Sequence, residues 1–148
     1  VSALPLQVGI IELLESMAPV TALVGTRIFS NRLPMSGVLP AIRVQVIDGY
    51  QDAHLRGVNA LCKSRVQIDC VSGEAFTSDP DGEADALAEA VHGPGDGTGL
   101  AGFQGVTPGS PSLAITAILP LNKRVNYYAD EVRQVIVMRD YYVWWRTT

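Results

Sequence analysis

The chain has 148 residues, 47% hydrophobic and 18% charged, with a net charge of −4 and a pI of about 5.0. That suits one globular domain over residues 1–148 and excludes a disordered polyelectrolyte. The acidic balance excludes a bulk electrostatic grip on nucleic acid, and no apolar run reaches the roughly 20 residues needed to span a bilayer, so no membrane partner is expected.

In chain order, Leu6, Ile10, Leu13, Leu14 and Met17, with Val8 and Ile11, predict a buried helix over Pro5 to Met17. No basic region precedes these apolar residues, so the stretch does not read as a signal peptide. Pro19 and Gly25 bracket a short second helix. Arg27 to Asn31 reads as a short edge strand, and the two prolines of Leu33 to Pro40 mark an extended connector. Ala41 to Tyr50 alternates, with Ile42, Val44 and Val46 inward and Arg43 and Gln45 outward. The polar stretch Asp48 to Val58 then joins it to the next strand as a long hairpin whose tip projects, carrying Asp52, His54 and Arg56.

Ala60 to Ser72 is the clearest strand. Ala60, Cys62, Val66, Ile68 and Cys70 share one parity, and Lys63, Arg65, Gln67 and Asp69 the other. Period two with one apolar and one charged side predicts a half-buried antiparallel strand, about 40 Å long, at the centre of a sheet. On such a strand Cys62 and Cys70 lie about 26 Å apart, too far for a disulfide, so buried thiols in a reducing compartment are expected.

Ser78, Asp79 and Pro80 form a helix start. Ala84, Leu87, Ala88 and Val91 follow at helical spacing, which predicts a helix over Pro80 to His92, stopped by Gly93-Pro94-Gly95. Residues 93–112 hold half of the 14 glycines and show no hydrophobic period; a flexible loop is expected, pinned by Phe103 and Val106. Leu113 to Leu121 reads as a strand, Asn122 to Glu131 as a polar turn region, and Val132 to Arg146 as a last strand with apolar residues of both parities. The predicted fold is α+β: an antiparallel sheet of about four long strands with helices packed on one face.

Catalytic patterns are lacking. Gly93-Pro-Gly-Asp-Gly-Thr-Gly99 is not followed by the Lys-Ser/Thr of a phosphate loop, and no nucleophile elbow or zinc spacing occurs. His54 reads as a loop residue and His92 as a helix-end residue suited to the dipole. No cofactor or metal is expected. Trp144 and Trp145 are adjacent, so on a strand they point to opposite faces, and only one can enter the core. Tyr141 and Tyr142 repeat the pattern.

The order and spacing of Leu23-Val-Gly-Thr-Arg-Ile-Phe29, Arg32-Leu-Pro34 and Leu39-Pro-Ala-Ile42 resemble the opening of the phage tail-completion family. The helix Ala84 to Val91 and the ending Arg139-Asp-Tyr-Tyr-Val-Trp-Trp-Arg146 are similar to its later landmarks, so the resemblance spans about residues 4–146. The chain departs from the family pattern after Gly93, where a longer helix and a shorter loop are the rule. The resemblance implies a non-enzymatic virion protein of a long non-contractile tail, assembled in the host cytoplasm. It forms a ring, typically a hexamer, that caps the tail tube, stops its growth and joins it to the head. Its implied partners are further copies of itself, the tail tube protein, the head connector protein, and double-stranded DNA passing through the lumen without specific binding. On this reading Trp144, Trp145, Tyr141, Arg139, Arg146, Lys63 and Arg65 are the candidate subunit contacts, and Asp52, His54 and Arg56 the candidate contacts to the tube or an adjacent ring. The alternatives are another neck protein, such as a head-side stopper or adaptor, and a small cytosolic enzyme with a site of dispersed residues.

Overall fold

Two long antiparallel hairpins lie side by side in the computed structural model, which describes residues 4–34, 37–54, 57–109, 112–129 and 133–147. The first joins β2 (Ala41–His54) to β3 (Gly57–Gly73), and the second joins β5 (Leu113–Ala129) to β6 (Gln134–Thr147). β3 and β6 pair antiparallel in the middle, from Cys62↔Trp145 to Gly73↔Gln134. Two short strands flank this four-stranded unit: β1 (Ile28–Ser30) beside β2 and β4 (Gly105–Val106) beside β5. The sheet therefore has six strands in the order β1-β2-β3-β6-β5-β4. The expectation of four antiparallel strands is corrected at its margins, because β1 runs parallel to β2.

The helices lie on one face. α1 (Leu4–Glu15) turns by 90° into α2 (Ala18–Val24), and α3 (Pro80–His92) packs over β3 and β6. Among the described residues no single helix is long and apolar enough to cross a membrane. The Asp79 side chain accepts a hydrogen bond from Gly82 N at 3.1 Å and so starts α3; Gly93, with φ +72°, ends it. Ala84, Leu87, Ala88 and Val91 are all fully buried. Small residues at two of these four positions let the helix sit close to Val66, Ile68, Cys70, Val137 and Tyr141 in the same core. Val8, assigned to the buried stripe by its spacing, is exposed on the far side of α1.

The polar stretches expected as turns continue the ladders. β2 and β3 stay paired to His54↔Gly57, and β5 and β6 to Tyr127↔Ile136 and Ala129↔Gln134, with register shifts along the way. Both Cys62 and Cys70 are buried thiols on β3.

The Gly-rich segment carries regular structure that composition alone did not predict. Leu100 N donates to Val91 O at 2.8 Å and Gly102 N to Ile118 O at 2.9 Å, tying the segment to the end of α3 and to β5. Leu100 and Ala101 are buried and Phe103 packs on the core, whereas Val106 is exposed. Here two glycine backbones touch: a Cβ on Gly99 would lie 2.5 Å from His92 O and 2.7 Å from the Gly93 backbone. Neither neighbour is a flexible side-chain end. Gly99→Ala is therefore expected to destabilise the fold by about 1–3 kcal/mol, read as a lowered Tm in a thermal melt.

Candidate functional site: the uncovered face of the sheet

Period two gives β3 and β6 two unlike faces. Toward the helices point Cys62, Ser64, Val66, Ile68 and Cys70 of β3, and Val135, Val137, Tyr141, Val143 and Trp145 of β6. Trp145 is only 2% exposed, and its indole N–H donates to Ser64 Oγ at 3.0 Å. Tyr141 is only 1% exposed, with its hydroxyl 3.0 Å from His92 Nδ1. As core side chains, Trp145 and Tyr141 have no surface to offer a neighbouring subunit, which corrects the sequence expectation for these two. Arg139 also points to the helical side, bonded to Glu89 Oε1 at 2.5 Å and to His92 Nδ1 at 3.1 Å.

The opposite face carries charge held in place by neighbours. Asp69 and Asp140 have side chains 0% and 1% exposed although no helix covers them. Arg43, the cross-strand neighbour of Asp69, bonds its carboxylate through Nε at 2.8 Å and through a terminal nitrogen. Gln67 Nε2 donates to the other oxygen of Asp69 at 2.7 Å. Arg65 reaches Asp140 Oδ2 at 2.6 Å, and Arg124 reaches Asp140 Oδ1 at 3.3 Å and Gln67 Oε1 at 2.8 Å. The aliphatic parts of these long side chains shield the acids from water while their charged heads stay half-exposed. The bonded Asp140 carboxylate raises the pKa of the Arg65 guanidinium further.

Next to this network, toward the end of the sheet where the β2–β3 hairpin runs past β6, lies an aromatic patch. Lys63 Nζ sits 4.1 Å from the Tyr142 ring centre and 5.1 Å from that of Trp144, and the two rings meet edge to face at 5.9 Å. A cation over aromatic faces at a partly exposed site stabilises by about 0.5–1 kcal/mol. Of the expected contact residues, then, Lys63, Arg65 and Trp144 come together on the uncovered face, and Arg146 is exposed near the end of β6. Tyr142 belongs with them; its lateral pairing with Arg65, and the Lys63–Trp144 pairing beside it, is a cross-strand relation that parity hints at and only register fixes. Asp52 and His54 lie on β2 near its end, and Arg56 falls outside the described residues.

On the helical face, the end of α3 forms a second charged group. Lys123 bonds Asp85 at 2.5 Å and Glu89 at 3.0 Å, and Ser72 Oγ donates to Glu83 Oε1 at 2.7 Å. Lys123 and Arg139 hold the Glu89 carboxyl below the usual carboxylate range. These contacts clamp α3 to the sheet along its flanks. Among the described residues no group of three or more His, Cys, Asp or Glu side chains is arranged to hold a metal ion. Near the start of β2, Leu39, Ala41 and Val71 form a small buried cluster with Phe29, Leu33 and Ile136 packed on it, under the 33–40 connector.

The architecture has a solved counterpart. A chain in the structure of the virion of the native gene transfer agent (GTA) particle matches with a TM-score of 0.61 at 18% identity, over 95% of this chain and 94% of that one. At that identity the likeness is one of fold: a helix-backed, six-stranded α+β sheet. No curated protein matches the chain. Residues 8–96, from α1 to just past α3, match the family described as Tail completion protein gp17, and the chain belongs to that family. It is a structural protein of a phage tail, located in the virion tail, where it assembles with other tail or head proteins.

Two expectations follow from the two faces. Trp144→Glu leaves the Tm within about 2 °C of the parent, whereas Trp145→Glu buries an unpaired carboxylate in the core and abolishes folding, as read by thermal melts and circular dichroism. Separately, burial and then the nearby Arg139 lower the pKa of His92 below its ordinary 6.5. The folded chain thus binds fewer protons at this site than the unfolded chain, so the stability linked to neutral His92 is complete above 6.5 and is lost as pH falls toward the lowered folded value. Melts from pH 7.5 downward will show a Tm decline beginning below about pH 6.5, and His92→Gln will flatten that part of the profile.

Proposed function

We propose that this protein is a tail terminator of a long, non-contractile tail. Copies form a closed ring, a hexamer, on the last ring of the tail tube and end its polymerisation. The opposite side of the ring presents a different surface, which docks the head connector. The observation that carries this reading is family membership joined to a rigid, uncovered sheet face that contains ordered charge and aromatic surface without a catalytic constellation on it.

The mechanism is geometric. A ring made by head-to-tail contacts closes by rotation and has two unlike ends. One end copies the tube's own docking surface, and the other lacks it, so no further tube subunit adds. The end of the sheet that carries the β2–β3 hairpin also carries Lys63, Tyr142 and Trp144, with Arg65 and Arg146 close along the same strands. We assign this end to contact with the adjoining component of the particle, with Asp52 and His54 near the end of β2, and Arg56, as further contact residues. Aromatic and Arg side chains dominate the energetics of such contacts. Double-stranded DNA passes through the lumen. The acidic balance of the chain, the pairing of Arg43, Arg65 and Arg124 with carboxylates and that of Lys63 with aromatic rings keep the phosphate backbone from being held.

Deletion of the gene in the producing phage tests the reading by electron microscopy of the tails. A terminator predicts headless tubes of abnormal length. Tubes of normal length that fail to join heads identify a head-side stopper or adaptor instead, and normal tails on normal heads remove both.

A further inference from the structure

The sheet is left with two unpaired borders. β1 covers the outer edge of β2 only from Ile42 to Val44, where Asn31 N adds one bond to Val44 O. β4 covers the outer edge of β5 only at Ala114 and Ile115, with further bonds from Thr107 N to Leu113 O and from Gly102 N to Ile118 O. Beyond these contacts no described strand lies against residues 45–54 of β2 or residues 119–129 of β5. Two open stretches of nearly equal length therefore lie on opposite sides of one sheet, each with backbone donors and acceptors facing outward. Exposed edges of this length are templates for pairing with another chain. Both carry exposed aliphatic side chains: Ile47, 48% exposed, on one, and Leu119 and Leu121, 50% and 41% exposed, on the other.

We propose that neighbouring copies of this chain join by antiparallel pairing of residues 45–54 of one copy with residues 119–129 of the next, so that the sheets merge into one continuous wall around the ring. This deepens the terminator reading and rests on it. The sense of the strands fits. β2, β3, β6 and β5 alternate in direction, so β2 and β5 run oppositely. A rotation about an axis along the strands turns each copy without inverting it, and β5 of one copy meets β2 of the next in the antiparallel sense. An odd number of alternating strands would not allow this.

The offset fits as well. Within one copy, Gln45 is level through Gln67 and Asp140 with Asn122. From there residues 45–54 run toward one end of the sheet and residues 122–129 toward the other. Full overlap therefore needs adjacent copies to slide along the strands. Strands in a closed barrel tilt by about 40°, and over four strands spaced about 4.8 Å that tilt gives a slide of about 16 Å, or about five residues. Ladder irregularities fall between Val46 and Asp48 and between Gln51 and Ala53 on one edge, and between Pro120 and Asn122 and between Arg124 and Tyr127 on the other. Bulges and an edge proline discourage unguided pairing, which keeps copies apart until the tube end aligns them. In the ring the helices lie outside, and the face carrying Arg43, Asp69, Arg65 and Asp140 becomes the inner wall.

Amide deuterium exchange tests this on the purified chain, as a monomer and assembled on purified tail tubes. The expected result is at least tenfold slower exchange across both 45–54 and 119–129 on assembly. A ring that forms without added protection in these two stretches overturns the edge pairing and leaves the terminator reading intact. If no assembly forms on the tubes, the terminator reading falls and the edge pairing with it. Leu121→Lys, which places a charge on the β5 border at a site without a register partner in β6, is expected to leave the monomer Tm unchanged and to weaken assembly at least tenfold. Val8→Lys, an exposed aliphatic on α1, is expected to leave assembly unchanged. Equal assembly of Leu121→Lys and the parent counts against the proposal.

Discussion

The alternation of side chains on β3 and β6 is the constraint on which the rest of the molecule depends. These two strands occupy the middle of the sheet, so each residue belongs wholly to one side or the other. One parity buries Val66, Ile68, Cys70, Val137, Tyr141, Val143 and Trp145 under α3. The other places Asp69 and Asp140 among Arg43, Arg65 and Arg124. A slip of β6 by one residue against β3 would bring Asp140 under the helix and turn Val137, Tyr141, Val143 and Trp145 to the uncovered face. The apolar side fixes the register, and the register positions the charges.

The uncovered face is consequently ordered by the core behind it. Its acids are out of water though no helix lies over them, and leaving either unpartnered would cost about 3–5 kcal/mol. Long side chains that would otherwise sample many rotamers are fixed by cross-strand partners at 2.6–2.8 Å. Such a surface is already set when a neighbour arrives, and association then loses less side-chain entropy. This suits a structural protein of a phage tail, which assembles with other proteins of the particle.

How much of this was legible in the sequence varied with how local the signal was. α3 was readable to the residue, because Asp79, Pro80, an i, i+3, i+4, i+7 stripe and Gly93 all lie within fifteen positions. The central strand was readable from period two. The far parts of the ladders were not, since Tyr50 to His54 and Asn122 to Ala129 carry no alternation of hydrophobic and polar residues in the sequence. The parallel pairing of β1 was hidden for another reason: three residues give too short a run to show direction. For Trp144 and Trp145 the sequence set the alternatives, and register with Lys63 and Cys62 decided between them. The Asp140 site was the least legible. Its partner Arg65 lies 75 residues away, and nothing local to either residue announces the pair.

The thiol of Cys70 leads in a different direction. It sits on the core side of β3, and its pKa is raised far above the ordinary thiol value by burial and then by Asp69 beside it. A protonated, inaccessible sulfur neither attacks disulfides nor meets oxidants. A particle built in a reducing cell and released into air-saturated surroundings changes redox environment completely. For this component the passage is chemically silent at Cys70.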